Sequence, residues 1–305
     1  MNGSPIYDVS IVILTYRREA LVAKAVESCV NQTNTLNLTF QIVVVDNSAD
    51  RSARAVIEGL AERHETPIVY VSEPRQNISL ARNAGIAESR ARLIAFIDDD
   101  ETASPEWLQH LVETQREYKA DVVFGPVLPV FEGGAPPPWA RLYTRNHNAA
   151  TGTPISYGTT ANVLFNRDTC VFQAQPFDPA LGLTGGEDTD FFMRLSRMGR
   201  KQVWCAEAKV NEFVPDERLR VRYFLRRRLC HGQTHTWCCV RNSNRPVLTA
   251  ARLLIVSIGQ ILVWSFPSMI LAPLQTPFAM RAKGRLIAGI GKLFWGRYFR
   301  FDFYS

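Results

Sequence analysis

Three carboxylates in a row, Asp98, Asp99 and Asp100, close the apolar run RLIAFIDDD. Like charges held so close repel one another unless a cation sits among them. Hard carboxylate oxygens suit magnesium or manganese, and a diphosphate would complete the coordination. The plain alternative is a solvated acidic turn ahead of a helix near Pro105; an acidic triplet at the end of a buried strand favours the metal and the phosphates. A second acidic set, Gly185-Gly186-Glu187-Asp188, precedes Phe191, Phe192 and Leu195, which recur at helical spacing. Its glycines let a substrate approach the backbone, and the helix dipole keeps first-turn acids ionised. An ionised carboxylate there can take the proton of an attacking hydroxyl, so Asp188, with Glu187 as its competitor, is the candidate base. Acid pairs also open many ordinary helices.

Other residues add to these two sets. Asp46 ends another apolar run, where a carboxylate accepts from the imide N–H of uracil, although Asp-Asn-Ser is equally ordinary turn chemistry. Arg82, in NISLARNAG, offers its fork to a diphosphate or a base; its plain alternative is a surface salt bridge with Glu88. His231, in RRRLCHGQTHT, is a candidate metal ligand or else a helix-cap or core histidine. Cys230, His231, His235, Cys238 and Cys239 crowd ten residues, yet two ligand pairs at zinc-knuckle spacing are missing, which favours buried thiols on a helix. The six cysteines include no CxxC pair, in keeping with free thiols in a reducing compartment.

The elements that must carry these groups are legible in the first half of the chain. Residues 9–14, 40–45, 68–71, 93–97 and 121–124 hardly alternate in polarity, so they read as strands buried on both faces. Amphipathic stretches at 19–30, 52–63, 79–89 and 105–118 lie between or after them as helices. Strand, helix, strand at this spacing predicts a doubly wound α/β fold with right-handed crossovers. Ligands bind such sheets at the carboxyl ends of the strands. That rule selects Thr15-Tyr16-Arg17, Asp46-Asn47-Ser48 and Asp98-Asp99-Asp100, and all three sets are polar. A loop at 125–138 containing GGAPPPW is too irregular for an element and sits where a lid would. Residues 158–165 read as a returning strand, 177–199 as a loop that opens a helix, and 202–206 as a further strand.

Composition divides the chain in two. From Arg218 onward there are 15 Lys and Arg against one acid, Asp302, leaving 20 basic and 28 acidic residues before it, so the parts carry +14 and −8. An acidic catalytic part joined to a basic segment that meets phosphate groups is the natural reading. Residues 253–280 carry no charge but include Pro267, Pro273 and Pro277, and both flanks are basic. Two helices on either side of Pro267, lying on or dipping into a membrane leaflet, satisfy both flanks better than one span. The opening MNGSPIYDVS has no basic n-region or apolar h-region, so a cytosolic catalytic part is expected. A nucleic-acid groove is not expected, because the basic segment is interleaved with a long apolar stretch.

TYRR after the opening strand, VVVDNS, SLARNAG, FIDDD and GGEDTDF stand in this order and at a spacing that resembles the family 2 glycosyltransferases of GT-A fold. The likeness runs from about Val9 to His235, and with HGQT and the basic apolar tail it looks most like the bacterial exopolysaccharide glucosyltransferases of the succinoglycan type. It implies a Rossmann-like, mixed but mostly parallel sheet flanked by helices, with a membrane-associated helical tail. It also implies an inverting transfer of one sugar, glucose, from a UDP-sugar to a polyprenyl-diphosphate-linked oligosaccharide at the cytoplasmic face of the inner membrane, helped by Mn2+ or Mg2+. Carried over by position, Asp46 would touch uracil, Asp98 the ribose, Asp100 the metal and Arg82 the nucleotide, while Asp188 would be the base. The QxxRW motif of processive members is absent, which points to one addition at a time. The expected division is 1–217 catalytic, 218–246 a basic closing helix and 247–305 the membrane-associated tail. Two rivals remain at this point. A nucleotidyltransferase would need a glycine-rich first loop, which TYRR lacks; a non-catalytic nucleotide-sugar-binding subunit would share the pocket without the transfer.

Overall fold

A computed structural model describes residues 6–33, 36–131, 135–156 and 158–296. Gly133 and Gly134 of GGAPPPW, the first five residues and Asp302 lie outside the described residues. The chain alternates β1 (Tyr7–Thr15), α1 (Glu19–Val30), β2 (Phe40–Asp46), α2 (Arg54–Arg63), β3 (Ile68–Ser72), α3 (Ile78–Glu88) and β4 (Ala91–Asp98). Then come β5 (Glu101–Ala103), α4 (Trp107–Tyr118), β6 (Val122–Phe124), β7 (Val127–Val130), β8 (Asn162–Asn166) and the single turn α5 (Arg167–Cys170). α6 (Glu187–Arg197), β9 (Gln202–Trp204) and β10 (Val210–Phe213) complete the α/β part, and α7 (Val221–Arg241), α8 (Pro246–Ile270) and α9 (Pro277–Leu293) follow.

Seven strands form one sheet in the order β3-β2-β1-β4-β8-β6-β9. β1 runs parallel to both β2 and β4, whereas β8 enters antiparallel between β4 and β6. The sheet is therefore mixed rather than uniformly parallel. Successive side chains on a strand point to opposite faces, and both faces are apolar here. Ile11, Ile13, Ile42 and Val44 pack with α1, α2 and α4; Val12, Val43, Val45 and Phe96 pack with α3 and α6. α3 comes very close to the sheet because Gly85 has no side chain: a Cβ there would lie 2.5 Å from Val12 Cγ1.

Register determines where the chemistry sits. Thr15 pairs with Asp46, and Leu14 pairs with Asp98, so the ends of β1, β2 and β4 stand level along one edge. A second sheet, β5-β10-β7, lies just past that edge. The loop expectation for 125–138 is corrected accordingly, since Val127–Val130 pairs in parallel with Val210–Phe213. A four-residue strand whose partner lies some eighty residues away leaves no periodic signal of its own.

The basic helices form a separate layer. α7 and α9 meet backbone to backbone: a Cβ on Gly232 would lie 2.2 Å from Ala288 O, and one on Gly291 would lie 2.2 Å from Leu229 O. Trp139, Tyr143, Val214, Phe224 and Met280 tie this layer to the α/β part. α8 is not divided at Pro267 as the sequence predicts; it runs through to Ile270. The proline removes one backbone donor, but it falls in the final turn, where little helix remains to disturb. α8 is the one helix among the described residues long and apolar enough to cross a membrane, and it is largely unburied. Ile255, Ile258, Leu262 and Phe266 stand exposed on it, an apolar surface suited to lipid contact.

Candidate active site

The level strand ends open into a cleft of about 360 Å³. β4 delivers Asp98, Asp99 and Asp100 to it, and the second sheet adds Glu212 from β10. Thr15 Oγ1 donates to Asp99 Oδ2 at 2.9 Å. Arg18, at the start of α1, donates to Asp99 Oδ1 at 3.0 Å and to Asp100 Oδ2 at 3.2 Å. Arg218 meets Asp100 Oδ2 at 3.0 Å and Glu212 Oε1 at 3.2 Å. Arg145 bridges Glu101 Oε1 at 3.0 Å and Glu212 Oε2 at 3.1 Å, and Glu101 Oε2 accepts the backbone N–H of Asp98 at 3.0 Å. Signs alternate through this network, which fixes the acidic triplet without leaving it to solvent.

The balance is still negative. Asp99, Asp100, Glu101 and Glu212 pair with the guanidiniums of Arg18, Arg145 and Arg218, and Asp98 adds a fifth carboxyl beside them. Burial, and then Asp100, push the Asp98 carboxyl up to about 6. Burial also pushes Asp99 up to about 6, although Arg18 opposes it. Glu101 is held well above the usual carboxylate range by burial and by Asp98.

Opposite these groups, Gly185 and Gly186 take φ of +79° and +99° and turn the chain into α6. A Cβ at Gly186 would lie 2.2 Å from Thr234 Cγ2, so glycine also lets α7 close over the start of α6. Asp188 lines the cleft. Its Oδ1 accepts the Thr189 N–H at 2.6 Å and the Thr189 hydroxyl at 3.3 Å, which leaves Oδ2 without a donor among the described residues. Glu187 is buried instead and forms an ion pair with Arg82. Burial raises the Glu187 carboxyl, Arg82 lowers it and Asp188 raises it. Asp190 faces away into contacts with Arg194 at 3.0 Å and Asn242 at 2.8 Å.

Of the residues that the sequence singles out, Thr15, Tyr16, Arg82, Asp98, Asp99, Asp100, Asp188 and His231 line one cleft. Three do not. Asp46 sits level with Thr15 but behind the wall, where Oδ1 accepts from Ser48 N at 2.9 Å and Ser48 Oγ at 2.6 Å, and Oδ2 from Ala53 N at 2.9 Å and Tyr70 Oη at 3.2 Å. Those four donors occupy the carboxylate that was expected to meet a base, and Asn47 lines the cleft in its place. Arg17 takes φ of +53° and turns outward to Asp50 at 3.1 Å, while its neighbour Arg18 reaches the aspartates. Glu187 is the third, already committed to Arg82. Arg18, Arg145, Arg218 and Glu212 also line the cleft, and no pattern in the sequence singles them out. Arg218 was visible only as the first residue of the basic segment.

A divalent cation fits the donors present. Burial chiefly, with Asp100 adding to it, raises Asp98 and Asp99, and a dication beside them would favour their ionised forms. His231 lines the same cleft, and its imidazole is pushed down to about 4 by burial, then by Arg227 and Arg228, so it keeps a lone pair at neutral pH. Among the described residues no three acidic, thiol or imidazole side chains converge to cage an ion. Such a site suits an ion that takes only one or two ligands from the protein and the rest from phosphate oxygens and water.

A mixed α/β sheet with an acidic triplet at the end of β4, facing a first-turn acid across a cleft, is the GT-A architecture of glycosyltransferases. The chain belongs to family 2 of that class: the family described as Glycosyl transferase family 2 matches residues 10–171, and Glycosyl transferase family group 2 matches residues 93–288. The succinoglycan biosynthesis protein ExoM of Rhizobium meliloti is 38% identical over 230 residues, 74% of each chain. Among solved structures, S. aureus TarS 1-349 superposes with a TM-score of 0.54 at 15% identity, covering 97% of this chain and 94% of that one. TarS in complex with UDP covers the same shares with a TM-score of 0.51, also at 15% identity. At that identity the likeness supports the fold alone.

Proposed function

We propose that this glycosyltransferase moves one sugar, glucose, from a UDP-sugar to a polyprenyl-diphosphate-linked oligosaccharide, with inversion. The likeness to the succinoglycan biosynthesis protein ExoM supports the exopolysaccharide setting, and the UDP complex of TarS is in keeping with the donor. The observation that carries the proposal is the single cleft in which Asp188, with one oxygen undonated, faces the triplet Asp98, Asp99 and Asp100.

Asp188 Oδ2 takes the acceptor hydroxyl proton as that oxygen attacks the anomeric carbon. The bond from the anomeric carbon to the diphosphate breaks, and UDP leaves with the electron pair. Asp100, with Asp98 or His231, would hold Mn2+ or Mg2+, which supplies positive charge to the leaving diphosphate. Arg18 and Arg218, set on Asp100, orient the phosphates and add charge at the same place. Glu187 keeps Arg82 in the wall of the cleft instead of acting as base.

The proposed division of labour is 1–217 for catalysis, 218–246 for closure over the cleft and 247–305 for attachment to the cytoplasmic face of the membrane. The exposed apolar α8 supports attachment. A transfer assay with labelled UDP-glucose and membrane extract, with manganese and with EDTA, tests the whole proposal. Manganese-dependent label in the lipid-linked fraction is expected. UDP binding without any transfer would instead identify a nucleotide-sugar-binding subunit.

A further inference from the structure

Beside the acidic cleft lies a second cavity of about 580 Å³ with the opposite character. It is built from two facing helix stripes. On α9, Arg281, Arg285, Ala288 and Lys292 recur every three or four residues and so share one face. On α7, Arg228, His231 and His235 form the facing stripe, and Arg141 closes one end. No carboxylate lines this cavity among the described residues. Among the described residues none of its four arginines forms an ion pair there, and Lys292 Nζ bonds to the neutral Gln260 Oε1 at 2.9 Å. Burial and the like charges of Arg227, Arg285 and Arg281 depress the Arg228 guanidinium, the mark of cations gathered without anions.

Three features define the missing partner. Several guanidinium forks around one space match phosphate oxygens better than a single carboxylate. The cavity shares Thr189, His231 and Thr234 with the catalytic cleft, so one molecule can extend from one into the other. Gln260 places α8 in the wall, next to the exposed Val256 and Val263 one turn away on either side. The ligand is thus anionic in the middle, reactive at one end and apolar at the other.

We propose that this basic cavity seats the diphosphate of the acceptor, with the sugar end passing Thr189 and His231 to reach Asp188 and the hydrocarbon chain leaving along α8. This rests on the transfer reaction proposed above and assigns a place to its second substrate. The donor's own diphosphate belongs across the cleft, at Arg18 and Arg218.

Calorimetry on the full chain in detergent, with farnesyl diphosphate as the probe and UDP plus manganese as the control, tests the assignment. Arg281 and Arg285 are exposed to the cavity, so replacing both should leave the fold intact. The wild-type protein should bind farnesyl diphosphate whether or not UDP is present. Arg281→Ala with Arg285→Ala should weaken that binding at least about tenfold and leave UDP affinity unchanged, and Arg281→Lys with Arg285→Lys should recover most of it. Inorganic pyrophosphate should bind more weakly and be lost in the same variant, while farnesol should not bind. Displacement of farnesyl diphosphate by UDP, or undiminished binding in the alanine variant, would overturn the assignment. So would a variant that loses only its binding to phosphatidylglycerol vesicles, since the two arginines would then serve bulk lipid headgroups. Failure of the wild-type protein to bind UDP would count against the donor instead, and would leave the farnesyl diphosphate measurement standing.

Discussion

Arg82 on α3 and Glu187 on the first turn of α6 are separated by 105 residues and form a buried ion pair in the wall of the cleft. The Arg82 guanidinium also lies over the Phe177 ring, 5.5 Å from its centroid. Glu187→Gln would take the paired carboxylate from a buried guanidinium, which costs up to about 3 to 5 kcal/mol. A clear fall in melting temperature is expected, largely reversed in the double variant Arg82→Met with Glu187→Leu, because an apolar pair removes both charges together. An unchanged melting curve accompanied by lost turnover would hand the role of base to Glu187.

Asp188 should behave in the opposite way. Among the described residues its side chain bonds only to Thr189, so Asp188→Asn should melt as the wild type does. Turnover should fall by about two to four decades, with UDP affinity within about twofold. Steady-state rates and calorimetry on one preparation check this, and near-normal turnover would eliminate Asp188.

The proposed metal dependence centres on Asp100. In the wild type, EDTA should weaken UDP binding at least about tenfold, because the ion neutralises the diphosphate. In Asp100→Asn, affinity with and without EDTA should coincide. Equal EDTA sensitivity in the two proteins would move the ion elsewhere.

His231 gives a pH signature. Its imidazole lies at about 4 against an ordinary 6.5, chiefly through burial and then Arg227 and Arg228, with Asp188 opposing. A depressed value means that the fold favours the neutral ring: its contribution is complete above 6.5 and is lost as pH falls toward about 4. The ring opens onto cleft water, which trims the effect by screening. Melting temperatures from pH 7 to pH 4.5 should therefore fall more steeply in the wild type than in His231→Asn. Parallel slopes would show that the ring is not held neutral.

The long elements were legible in the sequence because burial writes itself as period. The helix at 19–30 matched to the residue, and the first four strands fell within two residues of their observed ends. Asp98, Asp99, Asp100 and Asp188 were legible as chemistry because each ends or begins such an element. The remainder of the site rests on contacts that leave no pattern. Glu101 and Glu212 face each other only because β5 pairs with β10, more than a hundred residues on. Arg17 and Arg18 are the same residue type side by side, and a left-handed turn at Arg17 alone determines which one meets the aspartates. Asp46 misled for a related reason: Ser48, two residues later, signals an Asx-type turn that consumes the carboxylate.

The bare crossing of α7 and α9 has a mechanical consequence. Where the carbonyls of Ala288 and Leu229 sit against the bare Cα atoms of Gly232 and Gly291, no flexible side chain remains to absorb slippage, so the pair behaves as a single strut. α8 is joined to α9 by a short turn and packs along it. Any tilt that a lipid surface imposes on α8 would be carried by that strut to Thr234, which rests on Gly186 at the hinge of α6. Asp188, the proposed base two residues further on, would thereby feel the angle at which a lipid surface held the chain.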